Sequence, residues 1–247
     1  MFCIYKNILS KNNLTSLKNL ISSKTLNYSN NEKFNQNIKH EFYSNKYFKN
    51  IKIILKEIEF NNILTHLKKP SIDHIQCLFK PIKSIKTPFH QDIFFWNYKE
   101  ELFKSSMFTC WIPLEDINKN HGALTFNHKN IEYDLKNINH AQQVYKHSKK
   151  ILNSKIDYVI DDASFDSKDF KPFEVNIGDV VLFDSYEVHG STENLLDKAR
   201  LSFKIVFGEL NAHRMSSINP IYSYKYNVQF LKNKIFKLND KILKKFN

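Results

Sequence analysis

Between Ser71 and Phe207 the chain is built of short apolar runs separated by turn signals and long insertions. Ile72, His74, Gln76 and Leu78 alternate with other residues as on a strand, and MFTCWIPL (107 to 114) and ALTF (123 to 126) follow. Asn120-His121-Gly122 supplies a turn between those two runs. After a polar stretch from 130 to 170 come FEVNI (173 to 177), the turn Gly178-Asp179, VVLFD (180 to 184) and LSFKIVF (201 to 207). This order implies a sandwich or barrel, not a βαβ fold.

The flanks read differently. Ile4, Ile8, Leu9, Leu14, Leu17, Leu20 and Ile21 have the spacing of a packed helix. Residues 1 to 31 also lack acids and carry Lys and Ser, as organelle-import leaders do, but they lack Arg, and we read them as a helix. Tyr47, Ile51, Ile54, Leu55 and Ile58 follow helical spacing, and a second helical segment, 60 to 68, ends at Pro70. The tail from Tyr222 to Asn247 is an amphipathic helix candidate. The sequence therefore predicts a mainly β fold with flanking α. Residues 1–69 form an N-terminal helical region packed on the core, residues 70–210 form the β core with an insertion near 130–170, and residues 211–247 form a C-terminal helical extension.

Composition narrows the partners. The chain has 37 Lys+Arg against 25 Asp+Glu, for a net charge of +12, yet only Arg200 and Arg214 are Arg. The Lys are scattered and form no stripe with interleaved aromatics, so we expect no nucleic-acid partner. A Lys-rich, Arg-poor bias explains the charge, which favours an anionic substrate only mildly. Cys3, Cys77 and Cys110 are odd in number and far apart, so neither a disulfide framework nor a thiolate zinc site is indicated, and a reducing, cytoplasmic setting is expected. No apolar run approaches the roughly 18 residues of a membrane span.

The triplet His90-Gln91-Asp92 carries the chemistry. On an extended chain, residues i and i+2 project to one face about 7 Å apart, so an imidazole and a carboxylate can converge on one metal ion. His189 lies 97 residues beyond Asp92 (189 − 92), directly after VVLFD. Two His and one carboxylate make the facial triad of non-haem Fe(II) oxygenases. Arg200 follows His189 by 11 residues (200 − 189), a distance that fits a turn returning the chain antiparallel. A dicarboxylate cosubstrate needs a bidentate partner, which Arg provides and Lys does not. Gly122, Gly178 and Gly190, three of the four Gly, fall at turns around these strands. Each of these residues taken singly reads as an ordinary polar side chain, and it is their joint order that points to a site.

HQDIFFW (90 to 96), TCWIPLEDINKNHGAL (109 to 124) and GDVVLFDSYEVHGSTEN with KARLSFKIVF (178 to 194, 198 to 207) resemble the phytanoyl-CoA dioxygenase family of Fe(II)/2-oxoglutarate oxygenases. The likeness covers roughly residues 71 to 210. It implies a double-stranded β-helix, the jelly roll of cupin-like proteins, with Fe(2+) held by His90, Asp92 and His189 and with Arg200 on the C5 carboxylate of 2-oxoglutarate. By the same resemblance Ser191 helps hold that carboxylate, Trp111 lines the cosubstrate pocket, and Gln76 is a looser candidate for contact. The implied reaction consumes O2 and 2-oxoglutarate and hydroxylates a small-molecule substrate. The alternative is a binding or isomerase-type jelly roll that keeps the metal without turnover. FNHKN (126 to 130) lacks the Pro and Gly of the family's usual turn, which leaves the role of His128 open, and His121 reads as a turn residue. Phe94, Phe95 and Trp96 suit either a substrate pocket or the core.

Overall fold

A computed structural model describes residues 1–22, 36–38, 45–65, 67, 70–95, 107–131, 145–152, 155–161, 163 and 165–209. The chain opens on a strand, β1 (Phe2–Tyr5), followed by the helix α1 (Lys11–Ser22), a short strand β2 (Gln36–Ile38) and the helix α2 (Asn45–Phe60). Thereafter the described residues are mainly β: β3 (Pro70–Lys80), β4 (Thr87–His90), β5 (Met107–Pro113), β6 (Leu124–Asn127), β7 (His147–Leu152), β8 (Lys155–Ile160), β9 (Phe170–Pro172), β10 (Val180–Asp184), β11 (His189–Ser191) and β12 (Arg200–Glu209).

Two antiparallel sheets face each other. The larger has the order β1-β10-β5-β12-β3-β2, the smaller β4-β11-β6-β9, and β7 and β8 pair as a separate hairpin. Because side chains alternate across a strand, the larger sheet has two buried faces. Cys77, Phe79, Cys110, Ile112, Leu182, Phe203 and Ile205 pack outward against the helices. Trp111, Val181 and Phe183 point inward and meet Leu124 and Phe126 of the smaller sheet. The polar residues of the inner face share the parity of Trp111, and that places the site between the sheets.

The helices explain themselves by period. Leu14, Leu17 and Ile21 form the buried stripe of α1, and Ser10 caps it, its Oγ accepting from Asn13 N at 3.2 Å. Tyr47, Ile51, Ile54 and Ile58 do the same for α2. A reciprocal amide pair joins the two helices, Asn50 Nδ2 donating to Asn13 Oδ1 at 2.8 Å and Asn13 Nδ2 to the Asn50 carbonyl at 3.0 Å. None of the described helices is long and apolar enough to cross a membrane.

Several expectations are corrected. The first helix begins at Lys11, and Ile4, expected on it, lies on β1, which completes the larger sheet against β10. The expected helical segment 60 to 68 is instead a run of turns from Asn61 to Thr65, where Asn62 adopts a left-handed φ of 54° that ends α2. The polar insertion contains the β7–β8 hairpin. The tail expected to be helical, 222–247, lies outside the described residues.

Candidate metal centre

His90 ends β4 and His189 opens β11, and the pairing of these strands sets the two residues directly opposite each other. Their rings lie with centroids 4.3 Å apart. Asp92 begins a 3-10 helix, Asp92–Phe95, so the His-x-Asp pair straddles the end of a strand and a tight turn and does not lie on one extended strand. Ile93 N donates to the Ser185 carbonyl at 3.1 Å and secures that turn against the segment that follows β10. The result is close convergence: Asp92 Oδ1 is 3.8 Å from His90 Nε2 and 3.7 Å from His189 Nε2. One ligand atom from each residue falls within 4.8 Å of the others, and this is the group of His, Cys, Asp or Glu with that property among the described residues.

The ring nitrogens are poised for a metal. His90 Nδ1 is 2.8 Å from the Pro88 carbonyl and His189 Nδ1 is 2.9 Å from the Glu187 carbonyl. A carbonyl only accepts, so each Nδ1 carries the proton and each Nε2 presents its lone pair to the centre. Burial, and then the charge of His90, pulls the pKa of His189 down to about 3, which keeps the ring neutral. Burial works against the charge of Asp92. The nearby Lys204, His189 and His90 and a hydrogen bond from Thr109 outweigh it and hold the carboxyl well below the usual range. Thr109 Oγ1 donates to Asp92 Oδ2 at 3.1 Å, while Lys204 Nζ stands 3.9 Å from the same oxygen. Two imidazoles and one carboxylate, with no thiolate, are the donor set that suits Fe(II).

Gln91 faces away from the centre and ties it to the insertion. Its Nε2 donates to the Tyr186 carbonyl at 2.6 Å, its Oε1 accepts from Tyr145 N at 3.0 Å, and its own N–H donates to His147 Nε2 at 3.1 Å. Phe183 and Phe126 flank the His189 ring at centroid distances of 4.6 and 5.9 Å.

Arg200 reaches the same interior from the opposite side. The expectation of an antiparallel return from His189 does not hold, because β11 belongs to the smaller sheet and β12 to the larger, and the chain crosses between sheets over residues 192–199. The guanidinium is fully buried, lies 5.5 Å from the centroid of the Trp111 ring, and donates from Nη1 to the Gly122 carbonyl at 2.6 Å. Ser191 Oγ donates to Thr87 Oγ1 at 2.8 Å. Gln76 lies beside Lys204 in register, and Lys204 in turn lies beside Trp111. The buried Nε1 of Trp111 and Oγ of Ser202 meet no hydrogen-bond partner among the described residues, so this interior holds donors suited to an acceptor-rich ligand.

Two further histidines lie apart from the site. His128 Nδ1 bonds the Asp169 carbonyl, and buried His121 stands 3.4 Å from the Asp116 carbonyl; neither belongs to the donor cluster. Gly190 lies within β11 rather than at a turn, and glycine is needed there because a Cβ would stand 2.7 Å from the Thr87 carbonyl oxygen of β4. Trp96 and the side chains of Phe94 and Phe95 lie outside what the structure describes. Thr109, Lys204 and Lys80 were not anticipated. Strand parity was the signal for them, since Thr109 shares a face with Trp111, Lys204 with Arg200, and Lys80 with Gln76.

The solved structure of EvdO2 from Micromonospora carbonacea var. aurantiaca complexed with 2-oxoglutarate is similar at 16% identity with a TM-score of 0.59, over 84% of this chain and 86% of that one. HygX from Streptomyces hygroscopicus with nickel and 2-oxoglutarate bound is similar at 11% identity and a TM-score of 0.56, over 85% and 83% of the two chains. SnoK, a non-haem alpha ketoglutarate dependent carbocyclase from nogalamycin biosynthesis, is similar at 15% identity and a TM-score of 0.54, over 84% and 79%. At such identities the likeness is one of fold. No curated protein matches the chain. A family model for phytanoyl-CoA dioxygenase (PhyH) matches residues 11–202, well over half of the 247 residues. The chain therefore belongs to the phytanoyl-CoA dioxygenase (PhyH) family of non-haem, 2-oxoglutarate-dependent enzymes.

Proposed function

We propose that the protein is an Fe(II)- and 2-oxoglutarate-dependent oxygenase, built on a double-stranded β-helix, that hydroxylates an aliphatic C–H bond of a small molecule. The convergence of His90 Nε2, Asp92 Oδ1 and His189 Nε2 within 4.8 Å carries this reading. These three residues would hold the metal and leave adjacent positions open for cosubstrate and dioxygen. Bound there, Fe(II) supplies the redox chemistry that couples decarboxylation of 2-oxoglutarate to oxidation of the substrate. The balance is one 2-oxoglutarate, one O2 and one C–H bond to one succinate, one CO2 and one C–OH.

The protein's own part is placement. Arg200 and Ser191 bind the far carboxylate of 2-oxoglutarate, with Trp111 as a wall beside the guanidinium and Gln76 reaching the cosubstrate from β3. Phe126 and Phe183 keep water from the His189 face. Hydroxylation is supported by Asp92, because family halogenases carry a small residue where this chain keeps a carboxylate.

Anaerobic addition of Fe(II) and then 2-oxoglutarate is expected to give the weak visible band of the chelate. Admission of air with a panel of amino acids, acyl thioesters, sugars and phosphonates should then release succinate with the true substrate. SnoK, a carbocyclase, shares the fold, so the product itself has to be identified as an alcohol. No band at saturating Fe(II) and 2-oxoglutarate would overturn the reading in favour of a binding protein.

A further inference from the structure

From Arg200 to Gly208 every residue of β12 is buried except Lys204, whose side chain is 13% exposed. Lys204 shares the inner face with Arg200, Ser202 and Val206, and its register neighbours there are Gln76 on β3 and Trp111 on β5. The inner face of β3 shows the same break, with Gln76 and Leu78 half-buried between the buried His74 and Lys80. His90, at the metal centre, is 13% exposed as well. Solvent therefore reaches the interior beside the metal centre, at Lys204, while the interior is closed at Arg200.

The ammonium at this opening is uncommitted. Lys204 Nζ stands 3.9 Å from Asp92 Oδ2, too far for a hydrogen bond, and that oxygen already accepts from Thr109. Among the described residues it makes no hydrogen bond. Lys80, on the same inner face, is used differently: it is fully buried, and its Nζ donates to the Ile85 carbonyl at 2.8 Å and to Ser191 Oγ at 3.2 Å. Charge points the same way. The rings of His90 and His189 are neutral, so Asp92 and the chelating carboxylate of 2-oxoglutarate together cancel the two charges of Fe(II), and Arg200 answers the far carboxylate. Lys204 is left as a surplus positive charge with three N–H donors, in an interior where an unmatched ion is costly.

We propose that Lys204 anchors the substrate that is oxidised, and selects a small molecule carrying an oxyanion, a carboxylate or a phosphoryl group. The inference rests on the oxygenase reading above and adds to it the substrate class and the residue that sets it. Because the ammonium stands 3.9 Å from a metal-ligating carboxylate, a substrate held there presents to the metal the carbons next to its charged end.

The test titrates hexanoate, butylphosphonate and the neutral hexanamide into the full chain loaded anaerobically with Fe(II) and saturating 2-oxoglutarate, followed by the visible band and by calorimetry. One or both oxyanions are expected to move the band and to bind at least about tenfold more tightly than hexanamide, and the tighter of the two names the group. Lys204→Met keeps the length of the stem without the charge and is expected to abolish that preference. Lys204→Gln serves where the Met variant does not fold. Fe(II) should bind these variants no more weakly than the unmodified protein, since a cation beside the metal opposes it. Equal binding of the three probes, or of none, by the unmodified protein overturns the role of Lys204 and leaves the oxygenase reading standing. A preference that survives in a folded variant places the anion elsewhere and also overturns it. Weaker Fe(II) binding in the variants assigns Lys204 to the support of Asp92 and overturns it too. If no chelate band forms before any probe is added, the oxygenase reading itself falls and this inference falls with it.

Discussion

His90 and His189 face each other across the β4–β11 pairing, and that register brings two imidazoles onto one carboxylate oxygen of Asp92. The closeness of the two strands is set next door, at Gly190, where any Cβ would stand 2.7 Å from the Thr87 carbonyl oxygen. Gly190→Ala must push β4 and β11 apart, since the atom it meets is backbone. We expect a loss of about 1–3 kcal/mol in stability, the usual cost of overpacking, together with weaker Fe(II) binding. Thermal unfolding and anaerobic Fe(II) calorimetry check the two effects, and an unchanged Fe(II) affinity would show that the pairing does not set the distance between the rings.

Thr109 acts on the centre through Asp92. Its hydroxyl occupies Oδ2 at 3.1 Å, so that Oδ1 is the oxygen turned toward both rings. Thr109→Val has almost the same shape and removes that donor. The expected outcome is a roughly 10- to 100-fold fall in Fe(II) affinity, the range for lost outer-shell hydrogen bonds to metal ligands, with the fold retained. Equal Fe(II) affinity in the two proteins would remove Thr109 from the centre.

The parts of this architecture legible in the sequence are those set by local pattern. Alternation marked β3, and apolar runs marked β5, β10 and β12. The order of His90, Asp92, His189 and Arg200 was legible because spacing survives whatever path the chain takes between them. That path was not legible: 11 residues between His189 and Arg200 fit a hairpin return as well as the observed crossing between sheets. The local pattern at Ile4 was ambiguous too, because an apolar residue near a helical repeat fits a helix or an edge strand until its partner, β10, is known. Lys80 and Lys204 were hidden for another reason. In a chain with 37 basic residues a Lys carries little information by itself, and only the strand parity separates an inward ammonium from a solvated one.

Arg200 can be tested through its geometry as well as its charge. Arg200→Lys keeps a cation but gives up the planar fork and the contact from Nη1 to the Gly122 carbonyl. Affinity for 2-oxoglutarate is expected to fall by roughly 10- to 150-fold, equivalent to about 1.5–3 kcal/mol for a charge-assisted pair. Circular dichroism should remain that of the unmodified protein. Unchanged cosubstrate affinity would sink the assignment of Arg200 to the far carboxylate.

The metal-free protein should lose stability on mild acidification, and His189 is the reason. Its ordinary pKa near 6.5 is pulled down to about 3 in the fold, by burial first and then by the charges of His90 and Lys204, against the attraction of Asp92 and the Glu187 carbonyl. The unfolded chain therefore takes up a proton as pH drops below about 6.5, while the folded chain does not until about 3, so acid favours unfolding throughout that window. Above the unfolded value neither state is protonated, and the stability is fully present. Asp92 acts in the same direction lower down, because its depressed carboxyl pKa yields stability that is lost as pH falls below its ordinary value of 3.8. Between pH 7 and pH 5 the His189 contribution amounts to roughly 2 kcal/mol. Urea unfolding of the metal-free protein at those two pH values should show that extra loss, and His189→Asn, which cannot titrate, should lack it. Parallel losses in the two proteins would show that His189 is solvated and charged, and would place its ring outside the closed centre described above.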